Sequence, residues 1–336
     1  MSLSLSKPIY KAKPIRSLAS LAKALGLDEK RLKELALKAD TLWRAVKPEP
    51  GSTRQTFDAY EPLKRVHERI KRSIFSKVSF PAYLHGSLKG CDYVTNAALH
   101  KGQQILICED VKSFFPSVQS VYVRDVWAGL FGFSSEVADI LTALTTKDGA
   151  LPQGGITSSY LANLVLWRKE PLLQAKLAAR GITYSRYVDD MSMSSKTHLD
   201  KETQSWVIAQ VYGMLAFHGL KASRKKHDVF SASKPMIATK LIVNQKPALP
   251  KAKRSNIRAQ VKQLELASQS SIPLEELKIL ANKASQRVGL LGRFHETEAN
   301  ALRLRIKAVR ASFTSTEEVR VTGAKLEDGH ESSTIS

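Results

Sequence analysis

Two adjacent carboxylates, Asp189 and Asp190, follow Tyr187-Val188 in the middle of this chain. The residues before them, Ile182-Thr183-Tyr184-Ser185-Arg186, have the composition of a strand. Those after them, Met191-Ser192-Met193-Ser194, alternate polar and apolar. The pattern predicts a β-hairpin with the aspartates at its tip. Asp is also an ordinary turn former, so the pair alone carries little chemistry. A third carboxylate changes the reading. About eighty residues upstream, roughly the span of a compact lobe, the apolar run Ile105-Leu106-Ile107-Cys108 leads to Glu109-Asp110. One carboxylate at a strand end and two at a neighbouring hairpin tip can hold divalent metal through hard oxygen ligands. That arrangement suits two-metal nucleotidyl or phosphoryl transfer. One ion lowers the pKa of the attacking hydroxyl, and the other neutralises the leaving pyrophosphate.

Between these carboxylates lies Leu151-Pro152-Gln153-Gly154-Gly155-Ile156-Thr157-Ser158-Ser159-Tyr160, ahead of the apolar run Leu161-Ala162-Asn163-Leu164-Val165-Leu166. Paired glycines let backbone approach a ligand closely. Thr157, Ser158 and Ser159 are suited to capping the helix that follows. A plain glycine turn into a capped helix is the simpler alternative for this stretch taken alone.

The whole chain has 336 residues, enough for two or three subdomains. It carries 52 Lys and Arg against 31 Asp and Glu, a net charge of +21. Such a surplus favours a polyanionic partner through counterion release. No apolar run reaches the roughly 20 residues of a spanning helix, and the polar start lacks a secretory core. No membrane association is therefore expected. The two cysteines, Cys91 and Cys108, exclude a disulfide framework and fit reduced thiols in the cytoplasm.

In this order, Asp110 with Phe114-Phe115, Leu-Pro-Gln-Gly at 151–154 and Tyr-Val-Asp-Asp at 187–190 resemble the reverse transcriptases. Val94-Thr95-Asn96-Ala97-Ala98-Leu99-His100 is similar to the Asn-Ala-x-x-His element of the bacterial retron reverse transcriptases. His85-Gly86-Ser87-Leu88-Lys89-Gly90 also looks like that group. The resemblance spans about residue 18 to about residue 309. It implies an α+β fold, a right-hand polymerase of fingers, palm and helical thumb. The implied reaction is RNA-directed DNA synthesis from dNTPs with two Mg²⁺ ions, Mn²⁺ serving as a substitute.

The resemblance also implies roles for single residues. Asp110, Asp189 and Asp190 hold the metals, and Lys226 acts as a general acid near the pyrophosphate. Arg54, Val111, Phe115, Gln153 and Gly154 contact the nucleotide, with Phe115 as the ring that excludes a ribose 2′-OH. Asn96, His100 and Thr239 serve the retron's own RNA. Lys251, Lys253, Arg254 and Arg258 hold nucleic acid from the thumb. The implied partners are a structured non-coding RNA that is both template and primer, an RNA–DNA hybrid product and an effector protein. A branched RNA–DNA molecule made in phage defence is the implied outcome.

Some residues depart from the family. Retron enzymes usually carry Val-Thr-Gly after the catalytic hairpin. Here Thr239 is followed by Lys240. Prolines usual in the family are replaced by Ala59, Ile156 and Ser159. Lys240 keeps open a defence reverse transcriptase with another template or priming mode. A non-catalytic RNA-binding scaffold is the alternative from a different class, and the complete set of three aspartates argues against it.

The chain then divides as follows. Residues 1–50 form an arm and a helical hairpin, with Leu18, Leu21 and Leu25, then Leu32, Leu35 and Leu37, at helical spacing. Residues 51–100 are the fingers, including a basic amphipathic helix from Leu63 to Phe75. Residues 101–245 are the palm with the catalytic site, and 246–312 are the thumb. Residues 313–336 turn rich in Ser, Thr, Glu and Gly and read as a disordered tail.

Overall fold

The computed structural model describes residues 5–48, 51, 54–270 and 272–327, with side chains up to Phe313. The fold mixes helices with antiparallel sheet, an α+β architecture. Chain contacts divide it into two units, Met1–Thr239 with Val243–Lys246, and Lys240–Ile242 with Pro247–Ser336.

The first unit opens with the short strand Ile9–Tyr10, paired antiparallel with Val78–Ser79, and two helices, Leu18–Leu25 and Glu29–Lys38. Ser17 and Asp28 cap them by accepting backbone N–H bonds from Ser20 and Arg31. Gly26 ends the first helix in the left-handed region. Leu32, Leu35 and Ala36 are buried, but Leu37 is 88% exposed. Leu37 therefore lies outside the apolar stripe to which its spacing assigned it. The strand pair Trp43–Val46 and Thr56–Ala59 follows. The next helix, Glu61–Ser73, buries Leu63, Val66, His67 and Ile70. Its basic residues take the remaining faces, as a 3.6-residue period requires.

A four-stranded antiparallel sheet lies at the centre of this unit. Its order is Ile182–Tyr187, Asp190–Ser195, Ile105–Asp110, Asp228–Ser231. The first two strands form the hairpin predicted around Asp189-Asp190. Register sets Asp110 opposite Asp190 and Tyr187 opposite Asp190. Helices Ser135–Thr145, Ser158–Leu164, Glu170–Ala178 and Lys201–Phe217 belong to the same unit. One hydrophobic core runs through it, from Leu18 in the first helix to Leu220 beyond the last. The helix at Ser158 begins without a side-chain cap, contrary to the sequence reading. The Thr157 and Ser158 hydroxyls are buried instead, without a partner among the described residues.

Among the described residues, the second unit contains three helices, Lys251–Ser268, Leu274–Gly292 and Glu296–Glu327. They bury Ile257, Val261 and Leu264 with Ala281, Val288, Leu291, Ala299, Leu302 and Ile306. The last helix runs to Glu327, into the segment read from sequence as a disordered tail. Residues 328–336 lie outside the described residues. No helix among the described residues is long and apolar enough to cross a membrane.

Lys240, at the position where retron enzymes usually carry glycine, has φ +70°. A side chain there costs about 1 kcal/mol that glycine avoids. Lys240→Gly should raise the melting temperature by about 2–4 °C. Differential scanning calorimetry checks this, and an unchanged or lower midpoint contradicts the strain.

Candidate active site

Asp110 closes the third strand of the sheet, and Asp189-Asp190 turn the hairpin beside it. The Asp110–Asp190 pairing is the last step of its ladder. The Val111 N–H donates to the Asp189 carbonyl at 3.1 Å, tying the strand end to the hairpin tip. Val111 itself is buried. It joins the two halves of the carboxylate site and presents no side chain to a nucleotide, which corrects its assignment as a contact residue.

The three carboxylates crowd one another. Asp110 is buried, and Asp189 and Asp190 are half-buried. Burial pushes the Asp190 carboxyl up, and the Asp189 and Asp110 charges push it further. Burial likewise raises Asp189, with Asp110 adding to the rise. Two cations oppose this at Asp189, Lys226 and Arg54. The Lys226 ammonium donates to Asp110 Oδ2 at 2.6 Å. The sequence-predicted set Asp110, Asp189, Asp190, Lys226 and Arg54 is thus gathered at one site. Among the described residues, no three His, Cys, Asp or Glu side chains are already arranged around one ion. The donor chemistry nonetheless fits a hard divalent cation: all donors are oxygens, and their repulsion is what such a charge relieves.

The tip itself is strained and clamped. Val188 adopts φ +60°, an outlier for a β-branched residue. Arg186, two residues before it, is fully buried. Its Nη1 donates to the Val188 carbonyl at 2.9 Å and to the Ala162 carbonyl at 3.1 Å. Its Nη2 donates to the Asn163 carbonyl at 3.0 Å and to Glu170 Oε2 at 2.8 Å. Its Nε donates to Glu170 Oε1 at 2.5 Å. All five guanidinium hydrogens are used. The segment before Gly86 joins the edge of the hairpin: His85 N–H donates to the Arg186 carbonyl, and Arg186 N–H to the Tyr83 carbonyl. The Asn163 amide donates to the Gly86 carbonyl at 2.6 Å. Sequence reasoning missed Arg186, Glu170 and Asn163. A charged residue within a run of strand composition was the available signal.

Phe115 lies in a short helix, Phe114–Ser117, that follows Ser113 at φ +47°. That turn breaks the strand's alternation between Asp110 and Phe115. Phe114 is buried and Phe115 half-buried. The Gln153 carbonyl accepts the Phe57 N–H at 2.8 Å, so the Gln-Gly turn packs on the strand that follows Arg54. Gly154 has φ +105°, and a Cβ there would lie 2.6 Å from the Phe57 carbonyl oxygen. Only glycine permits that approach.

Asn96 and His100 are fully buried, so neither touches RNA directly. This corrects their assignment as RNA contacts. His100 Nδ1 lies 2.7 Å from Ser194 Oγ, and Nε2 lies 2.7 Å from Ser185 Oγ. The ring therefore joins the two strands of the catalytic hairpin. Burial lowers its pKa to about 4, with His85 adding to the drop. The Asn96 side-chain amide finds no partner among the described residues. Thr239 Oγ donates to the Tyr93 carbonyl at 2.8 Å, at the start of the helix that carries Asn96. The two retron-like elements thus meet.

In the second unit, Arg254 and Arg258 both bind Glu298, at 2.7 and 2.5 Å. Burial works against the Glu298 charge, and the two arginines outweigh it and hold its pKa low. Both guanidiniums are engaged within the helical unit, which weakens their reading as phosphate contacts. Lys251 and Lys253 have no carboxylate partner among the described residues.

A Cβ at position 86 would lie 2.3 Å from Val188 Cγ2 and 2.7 Å from the Val188 nitrogen. Gly86→Ala should displace the hairpin tip and lower primer-extension rate by about 100-fold. The helical signal in circular dichroism should stay within a few per cent. A variant with wild-type rate would show that the clamp does not position the aspartates.

Comparison with known proteins agrees with this geometry. A family model described as reverse transcriptase (RNA-dependent DNA polymerase) matches residues 45–281. The chain is 31% identical over 333 residues to the Retron Se72 reverse transcriptase of Salmonella heidelberg (strain 579083-10), covering 97% of this chain and 87% of that one. It is 28% identical over 339 residues to the Retron Ec48 reverse transcriptase of Escherichia coli, covering 95% and 82%. Against the Retron Ec86 reverse transcriptase of Escherichia coli it is 26% identical over 263 residues, covering 77% and 81%.

Proposed function

The chain belongs to the reverse transcriptases, and within them to the retron enzymes, and on that premise we propose how its residues divide the work of copying RNA into DNA. The activity is that of an RNA-directed DNA polymerase, acting on an RNA template or primer and on nucleotides. Reverse transcriptase domains have the right-hand polymerase fold and use divalent metal ions.

The observation that carries the assignment of residues is the gathering of Asp110, Asp189 and Asp190 within one step of the sheet register, with Lys226 and Arg54 acting on them. Asp110 and Asp189, with Asp190 alongside, would hold two Mg²⁺ ions, or Mn²⁺ as the substitute, and bound there the ions would supply charge that favours ionisation of the attacking hydroxyl and offsets that of pyrophosphate. Arg54 draws in the triphosphate. Lys226 donates a proton to the leaving pyrophosphate, a role suited to an ammonium held beside the carboxylates. Phe115 stands against the sugar and excludes a 2′-OH. Gln153 and Gly154 line the nascent base pair from the turn packed on the strand that follows Arg54.

The division into arm, fingers, palm and thumb extends the same reading, with the three-helix unit as the thumb. Lys251 and Lys253 there bind phosphates of the template–product duplex, supported by a net charge of +21. The template is a structured non-coding RNA, the product a branched RNA–DNA molecule, and the setting cytoplasmic phage defence with an effector protein. The similarity to retron enzymes and the meeting of Thr239 with the Asn96 helix support this reading.

Asp110→Asn and Asp189→Asn should each reduce Mg²⁺-dependent primer extension by at least about 1,000-fold. RNA binding, followed by filter retention, should remain within about twofold. Extension near the wild-type rate by either variant removes the assignment. Recovery of a branched RNA–DNA molecule co-purifying with the wild-type protein tests the template and product.

His100→Ala should lower extension of a generic primer–template and of the co-purifying RNA by the same factor, because its contacts are to the hairpin. A loss confined to the co-purifying RNA would instead tie His100 to RNA recognition.

A further inference from the structure

Beside the carboxylates lies a second cluster that the proposed mechanism leaves unused. Glu109 immediately precedes Asp110, and its side chain is fully buried. Successive residues of a strand face opposite sides. Glu109 therefore points away from Asp110, towards the helix Lys201–Phe217, where the Tyr212 hydroxyl stands 3.5 Å from Oε2. Its close partner is His227, whose Nδ1 donates to Oε1 at 2.7 Å.

Register shows what this contact does. The strand Asp228–Ser231 runs antiparallel to Ile105–Asp110, and its last ladder pair is Cys108 with Asp228. One step further sets His227 across from Glu109, and two steps set Lys226 across from Asp110. Ladder hydrogen bonding stops before these two positions. Side-chain contacts replace it, His227 to Glu109 and Lys226 to Asp110. Beyond them the backbone rejoins, with Ser223 N–H donating to the Asp110 carbonyl at 2.7 Å and an antiparallel bridge from Val111 to Ala222. The turn Arg224–Lys226 is otherwise exposed and has no buried residue of its own.

We propose that Glu109 and His227 are a positioning pair that fixes Lys226 opposite Asp110, and so sets the general acid against the leaving group. This rests on the reading of Lys226 given above. Neither residue touches substrate. The buried carboxylate is the anchor, because it cannot lose its donor cheaply. His227 is the link, and Lys226 is what the link carries. Tyr212 supports Glu109 from the helix side at longer range.

A double-mutant cycle in the full-length protein tests this, using single-nucleotide incorporation on a primer–template with Mg²⁺. His227→Ala should lower kcat about tenfold and leave KM for the dNTP within about twofold, since positioning affects the chemical step. His227→Asn should recover most of the loss, because its amide nitrogen can replace Nδ1 as donor. In a Lys226→Ala background, His227→Ala should cost less than about twofold more. Active-site titration normalises every rate to folded enzyme. His227→Leu, which keeps bulk without a donor, takes the place of His227→Ala if that variant does not fold. An equal tenfold loss with and without Lys226 overturns the proposal and leaves the pair a structural contact. So does failure of His227→Asn to recover activity. A wild-type rate for Lys226→Ala alone removes the general-acid reading itself, and the positioning role with it.

Discussion

The buried pair of Arg186 and Glu170 is the constraint on which the site depends. Both side chains are essentially inaccessible to solvent. Burial alone would lower the Arg186 pKa, and the Glu170 carboxylate outweighs it and keeps the guanidinium charged. Desolvating two charges is costly, and a buried ion pair is rarely a net source of stability. What it supplies here is placement. Glu170 sits at the start of its helix and also accepts the Tyr184 hydroxyl at 2.8 Å. The guanidinium then reaches the carbonyls of Ala162, Asn163 and Val188. One side chain ties two helices to the hairpin tip. Losing either partner would leave the other charged and unpaired, at a cost of about 3–5 kcal/mol.

That rigidity is needed because the tip opposes two tendencies. Val188 is held in a left-handed conformation that costs about 1–2 kcal/mol. Burial raises the pKa of both aspartates it presents, the Asp110 charge adds to each, and Asp189 adds to Asp190. An unclamped hairpin would relax by turning the carboxylates outward to water. The clamp is built from every side: Arg186 beneath, Gly86 against Val188, Val111 tied to Asp189, and His100 between Ser185 and Ser194. Preorganised charge of this kind is what a nucleotidyl transfer site requires.

The residues that resemble retron-specific elements join this framework through side-chain hydrogen bonds. Thr239 binds the first residue of the helix that carries Asn96, and His85 reaches Thr95 in the same helix at 2.9 Å. His100, just past that helix, grips the hairpin. The residues that resemble the RNA-specific elements are therefore mechanically continuous with the catalytic strands. Lys240, next to Thr239, keeps a glycine-like backbone without being glycine.

The sequence by itself determined the three carboxylates, the hairpin that carries two of them and the first two helices. These depend on local pattern: period-two alternation around an Asp pair, and apolar spacing. The helical hairpin was legible from the spacing of Leu18, Leu21 and Leu25, then of Leu32 and Leu35, for the same reason. The reaction class entered through the resemblance of the motif order to the reverse transcriptases. Tertiary structure alone decided the rest. Nothing local says that Arg186 will be buried, because its partner Glu170 is brought close only when the helix packs on the strand. His100 and Asn96 looked like recognition residues, and packing made them interior. Arg254 and Arg258 looked like free cations until a helix 40 or more positions away placed Glu298 between them. The pairing of His227 with Glu109 depends on strand register, which fixes what stands opposite what and which no single segment encodes.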